Sequence, residues 1–262
     1  QAHLVDVSAL RSEITRFQEF YQKAISTKYE PHSSYPKGFK TRTAFYSPRI
    51  LLKVLIIWDF IDTLQDTTIR NLFRLAFGST MVRYSNYSYE PSLGRRASAG
   101  KEEIEDFPVG EAIRAKLADM SEDMEWFQGT LPSSASPTVQ IVCDSFFHNE
   151  DYINPMSVDL IITSPPYLNN YHYIRNTRPQ LYWLGYARQP RDLKDLEQSN
   201  FGKYWQTVRA GTPVQLEFSL PDTDISERLD RLRSANPRKG AYGGRGWANY
   251  AASYFNDCYK FA

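Results

Sequence analysis

The apolar run Val158-Asp159-Leu160-Ile161-Ile162 is brought to a stop by two consecutive prolines, Pro165 and Pro166. Proline fixes φ, lacks an amide hydrogen and restricts the residue before it, so no helix runs smoothly through such a pair. A short apolar run ending this way reads as a strand from the middle of a parallel sheet. Thr163-Ser164-Pro165-Pro166-Tyr167 then sits at the carboxyl end of that strand, the edge where open α/β sheets bind ligands. Val139-Gln140-Ile141-Val142 reads as a second strand, followed by Asp144-Ser145. Gln1 to Val7 reads as a third, ending near an acid.

Between these strand patterns the periodicity is helical. Leu10, Ile14, Phe17, Tyr21 and Ile25 recur at helical spacing from Ser8 onward. Ser47-Pro48 is a serine N-cap with proline at the first helical position, opening a helix whose body, Ile50 to Leu64, is apolar nearly all round. Asp66-Thr67-Thr68 caps a third helix that buries Ile69, Leu72, Phe73 and Ala76. A fourth, from about Gly110 to Phe127, carries Ile113, Leu117, Met120 and Met124 on one side. Residues 28–43 and 84–101 read as loops, and 131–137 as a serine- and proline-rich linker. Gln180 to Tyr186 reads as helical, Ala187 to Gly246 as polar and irregular with many basic residues, and Trp247 onward as a closing helix with Tyr250, Tyr254, Cys258 and Phe261 on one face.

The hydrophobic fraction of 42% and aromatic fraction of 15% belong to a folded chain. A net charge of +1 neither demands nor excludes nucleic acid, because local patches matter more than totals. Cys143 and Cys258 make no metal-ligand spacing and no disulfide framework, which suits a reducing cytoplasmic setting and small core thiols. The longest apolar run, around Ile50 to Ile57, is too short to span a bilayer, and the opening residues show no signal-peptide pattern. The expectation is a cytoplasmic protein with no membrane partner.

The chemistry that suits Ser164-Pro165-Pro166-Tyr167 is recognition of an amine. The prolines stiffen the chain and leave carbonyls as fixed acceptors, Ser164 adds an oxygen, and Tyr167 adds a flat face on which a base can stack. The bland alternative is a Pro-Pro-Tyr that merely ends a strand. Val158 to Tyr167 is similar to the catalytic segment of DNA methyltransferases that modify cytosine N4 or adenine N6. Leu168-Asn169-Asn170-Tyr171-His172-Tyr173-Ile174-Arg175, Leu181-Tyr182-Trp183-Leu184-Gly185, Tyr46-Ser47-Pro48-Arg49 and Phe77 to Arg83 resemble further segments of one subgroup. Val139 to Ser145 and Leu4 to Leu10 resemble sheet strands of the same family.

The resemblance implies an α/β fold, part of a Rossmann-like methyltransferase sheet with a large, mainly helical insertion. Residues 1–7 and 139–262 would form the catalytic layer, with 1–7, 139–142 and 158–163 in one sheet, 8–138 the insertion, and 187–246 an irregular region for DNA or target recognition. The implied function is methyl transfer from S-adenosylmethionine to the exocyclic amine of a base flipped from double-stranded DNA, cytosine N4 favoured over adenine N6 by the serine. Ser164, Pro165, Pro166 and Tyr167 would be catalytic. Asp6 and Asp144 would contact the cofactor, though an aspartate after a strand also often caps the next helix. Arg83, Arg95, Arg96, Arg175 and Arg178, set among tyrosines or close behind the loop, would contact DNA, though such arginines are often merely solvated. Alternatives are an RNA or protein-glutamine methyltransferase, and an inactive remnant that binds nucleic acid or a partner subunit. The family's glycine-rich cofactor loop does not occur, Gly244-Arg245-Gly246 being the only Gly-x-Gly. The expectation is therefore an internal piece or a split subunit, completed by a second chain and binding S-adenosylmethionine weakly by itself.

Overall fold

The computed structural model describes residues 5–89, 92–130, 138–164, 166–169 and 171–262. The fold is mainly helical, and the expected multi-stranded sheet is absent from the described residues. The one sheet there is a two-stranded hairpin, β1 (Tyr87–Tyr89) antiparallel to β2 (Leu93–Arg95), inside a segment read from sequence as loop. Residues 139–142 and 158–163 form no strand, Asp159 lies in a bend, and among the described residues these segments make no backbone–backbone hydrogen bond. Leu160, Ile161 and Ile162 are 74, 67 and 88% exposed, where the sheet reading buried them. The physical reason is that a strand is completed by its neighbour's hydrogen bonds, and no neighbour is at hand.

The chain divides into two compact units, residues 1–139 with 176–189, and residues 140–175 with 190–262. The first is a helical core. Helix α1 (Val7–Ser26) starts where a third strand was expected, because the Asp6 carboxylate accepts from the Ala9 amide at 2.9 Å. Gln1 to Leu4 lie outside the described residues. Helix α2 (Pro48–Thr63) starts at the Ser47 cap, whose Oγ accepts from the Ile50 amide, and α3 (Thr67–Thr80) at the Asp66 cap. Helix α4 (Val109–Thr130) packs against α1 and α3. Phe17, Phe60 and Phe73 meet at centroid distances of 5.2 to 5.7 Å where α1, α2 and α3 converge.

A second aromatic cluster fixes the loops of this unit. The second half of α5 (Tyr173–Trp183) delivers Trp183, whose ring lies against Tyr35, Tyr46, Trp58 and Phe77. Loop 28–43 is pinned by Asp59 of α2. Its carboxylate accepts from the Tyr29 hydroxyl at 3.0 Å and from the His32 and Ser33 amides at 2.8 and 2.7 Å. Three polar hydrogens therefore find a partner at a residue only 8% exposed.

The second unit holds short helices in the region read as irregular: α6 (Pro190–Ser199), α7 (Trp205–Val208) and α8 (Ile225–Ser234). They lead to α9 (Gly244–Phe261). Leu229 of α8 packs with Ala251 and Ala252 of α9 in a small core, covered by Val214, Leu216, Ile225 and Phe255. Asn249 and Asn256 of α9 hold the chain from Val208 to Glu217 by side-chain bonds to its backbone. Cys143 is exposed, not buried as a core thiol. No helix among the described residues is long and apolar enough to cross a membrane.

Candidate functional site

The proline turn is held from two sides within the second unit. Tyr254 of α9 donates its hydroxyl to the Pro166 carbonyl at 2.8 Å. The Tyr167 amide donates to the Tyr173 hydroxyl at 3.3 Å, and the Tyr173 ring meets Tyr171 edge-on at 4.9 Å. With backbone and carbonyl so fixed, the Tyr167 side chain is left outward, 69% exposed. Ser164 is exposed as well, and Pro165 lies outside the described residues.

Gly202 completes the support. Its φ of +62° favours glycine, and a Cβ there would lie 3.1 Å from the Tyr254 ring and 3.5 Å from Pro166. Its amide donates to Asp257 at 3.0 Å, so the turn is locked onto α9. Just beyond the proline turn, His172 stacks on Tyr204 with centroids 4.0 Å apart and planes within 9°. Its Nε2 lies 2.5 Å from a Glu197 carboxylate oxygen. Tyr254, Gly202, His172 and Glu197 were not read as site residues. Tyr254 stood on the predicted face of the closing helix, but its contact lies far away along the chain, where periodicity gives no signal.

Asp144 lines a cavity of about 400 Å³ with Gln140, Val142, Phe146, Tyr152 and Ile153 among its walls. The carboxylate accepts from the Tyr152 hydroxyl at 2.6 Å, the His148 ring at 3.0 Å and the Ser145 amide at 2.6 Å. The Tyr152 hydrogen bond first, then those of His148 and Ser145, pull the acid down to about 2. Apolar walls beside a fixed anion suit a nucleoside in size and character. Both Asp144 oxygens already accept hydrogen bonds in this arrangement. Asp6 has one oxygen engaged as the α1 cap and belongs to the other unit.

The expected DNA-contacting arginines are divided between the two units. Arg83, Arg95, Arg96 and Arg178 belong to the first unit and Arg175 to the second. Arg83 lies over the Phe107 ring at 5.5 Å and is exposed, and Arg95 is half-buried on β2. Arg96 donates to the Glu102 carbonyl at 2.8 Å. Arg178 donates to the Lys40 carbonyl at 2.6 Å and lies over Phe39 and Tyr182, so it ties a loop to α5. Arg175 is exposed on the first turn of α5.

Among the described residues no group of acids, histidines and cysteines is placed to hold a metal ion. Compared with protein families, with curated proteins and with solved structures, the chain gives no match.

Proposed function

We propose that the turn at Ser164 to Tyr167 is the amine-binding loop of a DNA amino-methyltransferase, cytosine N4 favoured over adenine N6. The observation that carries the reading is the presentation of Tyr167: its backbone is tied to Tyr173, the preceding carbonyl is tied to Tyr254, and its ring is left open. A fixed backbone with an open aromatic face is what stacking of an extruded base requires. Ser164 supplies an exposed oxygen in the same loop, and a carbonyl with two lone pairs can accept from an amine while Tyr254 holds it. S-adenosylmethionine, when bound, supplies an electrophilic methyl group. The loop's part is to hold the amine nitrogen in line with it, so that the nitrogen–carbon bond forms as the sulfur–carbon bond breaks and a proton leaves the nitrogen to solvent. The glycine-rich turn that such an enzyme needs would come from a flanking segment or from a second chain.

The test is transfer of labelled methyl groups to duplex DNA by the protein expressed together with its neighbouring genes. Ser164→Ala and Tyr167→Ala should each depress incorporation far more than DNA affinity, because phosphate contacts supply most of that affinity. Stacking alone is worth about 1–3 kcal/mol per base. Full incorporation by Ser164→Ala would remove the loop from the chemistry. DNA binding with no incorporation by the parent protein would favour the reading as a nucleic-acid-binding remnant.

A further inference from the structure

The second unit carries a face on which positive charge and flat rings are concentrated. No carboxylate side chain occurs between Glu197 and Glu217, nor between Asp230 and Asp257. The fold joins these two stretches. The Arg209 guanidinium, at the end of α7, lies 4.6 Å from the Trp205 ring centroid and 4.1 Å from that of Tyr242. It donates to the Tyr242 hydroxyl at 3.1 Å. Trp247, in the first turn of α9, stacks on Trp205 at 4.9 Å with planes within 20°. Gly246 permits this approach, since a Cβ there would lie 2.0 Å from the Ala241 carbonyl oxygen and 3.0 Å from Arg209 Cβ.

The result is an outward platform. Tyr242 is 62% exposed and Trp247 38% exposed. Around them Arg238, Lys239 and Arg245 are exposed, and with Arg209 they take no part in any ion pair among the described residues. The arginines of α8 differ, because Arg228, Arg231 and Arg233 are matched to Asp224, Glu227 and Asp230. Four unmatched cations beside two open rings, one of them backed by a guanidinium, suit a ligand that is both polyanionic and built of flat rings.

We propose that this face binds single-stranded nucleic acid, with bases stacked on Tyr242 and Trp247 and phosphates on Arg209, Arg238, Lys239 and Arg245. An acidic peptide would satisfy the charges but leave the ring faces unused. The inference stands on this face alone and does not depend on methyl transfer.

The experiment is fluorescence anisotropy on the whole chain with three labelled probes: a mixed-sequence DNA strand of about 20 nucleotides, the same strand without bases, and a polyglutamate peptide of matched charge. The strand with bases should bind best. Tyr242→Ala should weaken it about fivefold or more, with little effect on the abasic strand, and Tyr242→Phe should restore most of the loss. Replacing Arg238, Lys239 and Arg245 together by alanine should flatten the log affinity against log salt plot by about 2, near 0.7 per phosphate contact on a single strand. Arg228→Ala with Arg231→Ala on α8 should change neither, and melting curves establish that each variant is folded. Equal binding of the abasic strand or of polyglutamate would overturn the proposal. So would an unchanged salt slope in the triple variant, or no binding by the parent chain. Because the readout is binding, methyl incorporation can fail while this proposal holds, and the reverse.

Discussion

Tyr254 donates its hydroxyl hydrogen to the carbonyl oxygen of Pro166 across 88 residues of chain, at 2.8 Å. This bond and the Gly202 turn beneath it make the proline turn depend on α9 for its position. Tyr254→Phe keeps the ring and removes the donor. It should cost only about 0.5–1.5 kcal/mol of stability, as one hydrogen bond does. It should also release the turn, seen as faster amide exchange at Tyr167 and Leu168 by hydrogen–deuterium mass spectrometry. Unchanged exchange there would show that the bond does not hold the turn.

Asp59 is the structural acid of the first unit. Replacing it with alanine leaves the His32 and Ser33 amides and the Tyr29 hydroxyl without their acceptor. The loss expected in chemical denaturation is about 2–4 kcal/mol, the scale of orphaned buried donors. Burial pushes this acid upward, but the hydrogen bonds from Ser33, His32 and Tyr29 outweigh it and hold the acid below its ordinary value. Its contribution is therefore full above the ordinary carboxylate range and is lost as pH falls through the lowered value. The pH dependence of stability on the acid side should flatten in Asp59→Ala.

Asp144 should titrate near 2 when followed by carboxyl carbon NMR, well under an ordinary aspartate. Tyr152→Phe removes the largest cause and should move the midpoint upward. Its folded value being depressed, whatever order it gives the 144–152 segment is present above the ordinary value and lost as pH falls toward 2. An unshifted midpoint in Tyr152→Phe would show that the hydroxyl does not lie on the carboxylate.

Phe73 and Leu75 sit two residues apart on α3 with opposite surroundings, 0 and 57% exposed. Phe73→Ala opens a void among Phe17 and Phe60 and should cost about 3–5 kcal/mol. Leu75→Ala should stay within about 0.5 kcal/mol, as exposed substitutions do. Denaturant melts of the pair measure how firmly the α1–α3 junction carries the first unit.

What could be read in advance followed from how local each signal was. Asp6, Ser47 and Asp66 cap helices through their own next three residues, and Phe17, Phe73 and Leu117 repeat at helical spacing, so α1 to α4 stood close to their predicted bounds. The segments 139–142 and 158–163 have strand composition, but pairing belongs to two segments jointly and cannot be deduced from one. Helices α6 and α8 were missed although Pro190 opens the first and Ile225, Leu229 and Leu232 lie on one face of the second; charged residues between them hid the period. Ser164 to Tyr167 could be singled out as a candidate site from chemistry. Tyr254, Gly202 and the His172–Glu197 contact could not, because each is a product of tertiary folding.

The bare segment from Val158 to Ile162 has a consequence for how the protein behaves in bulk. Amide and carbonyl groups without a backbone partner among the described residues, beside exposed leucine and isoleucine side chains, form a template on which a like segment can zip, copy upon copy. Asp159 is the one charge interrupting that row, so it acts as a gatekeeper against fibrillar growth. Aggregation, where it occurs, is then expected to start from those five residues and not from the buried cores of either unit.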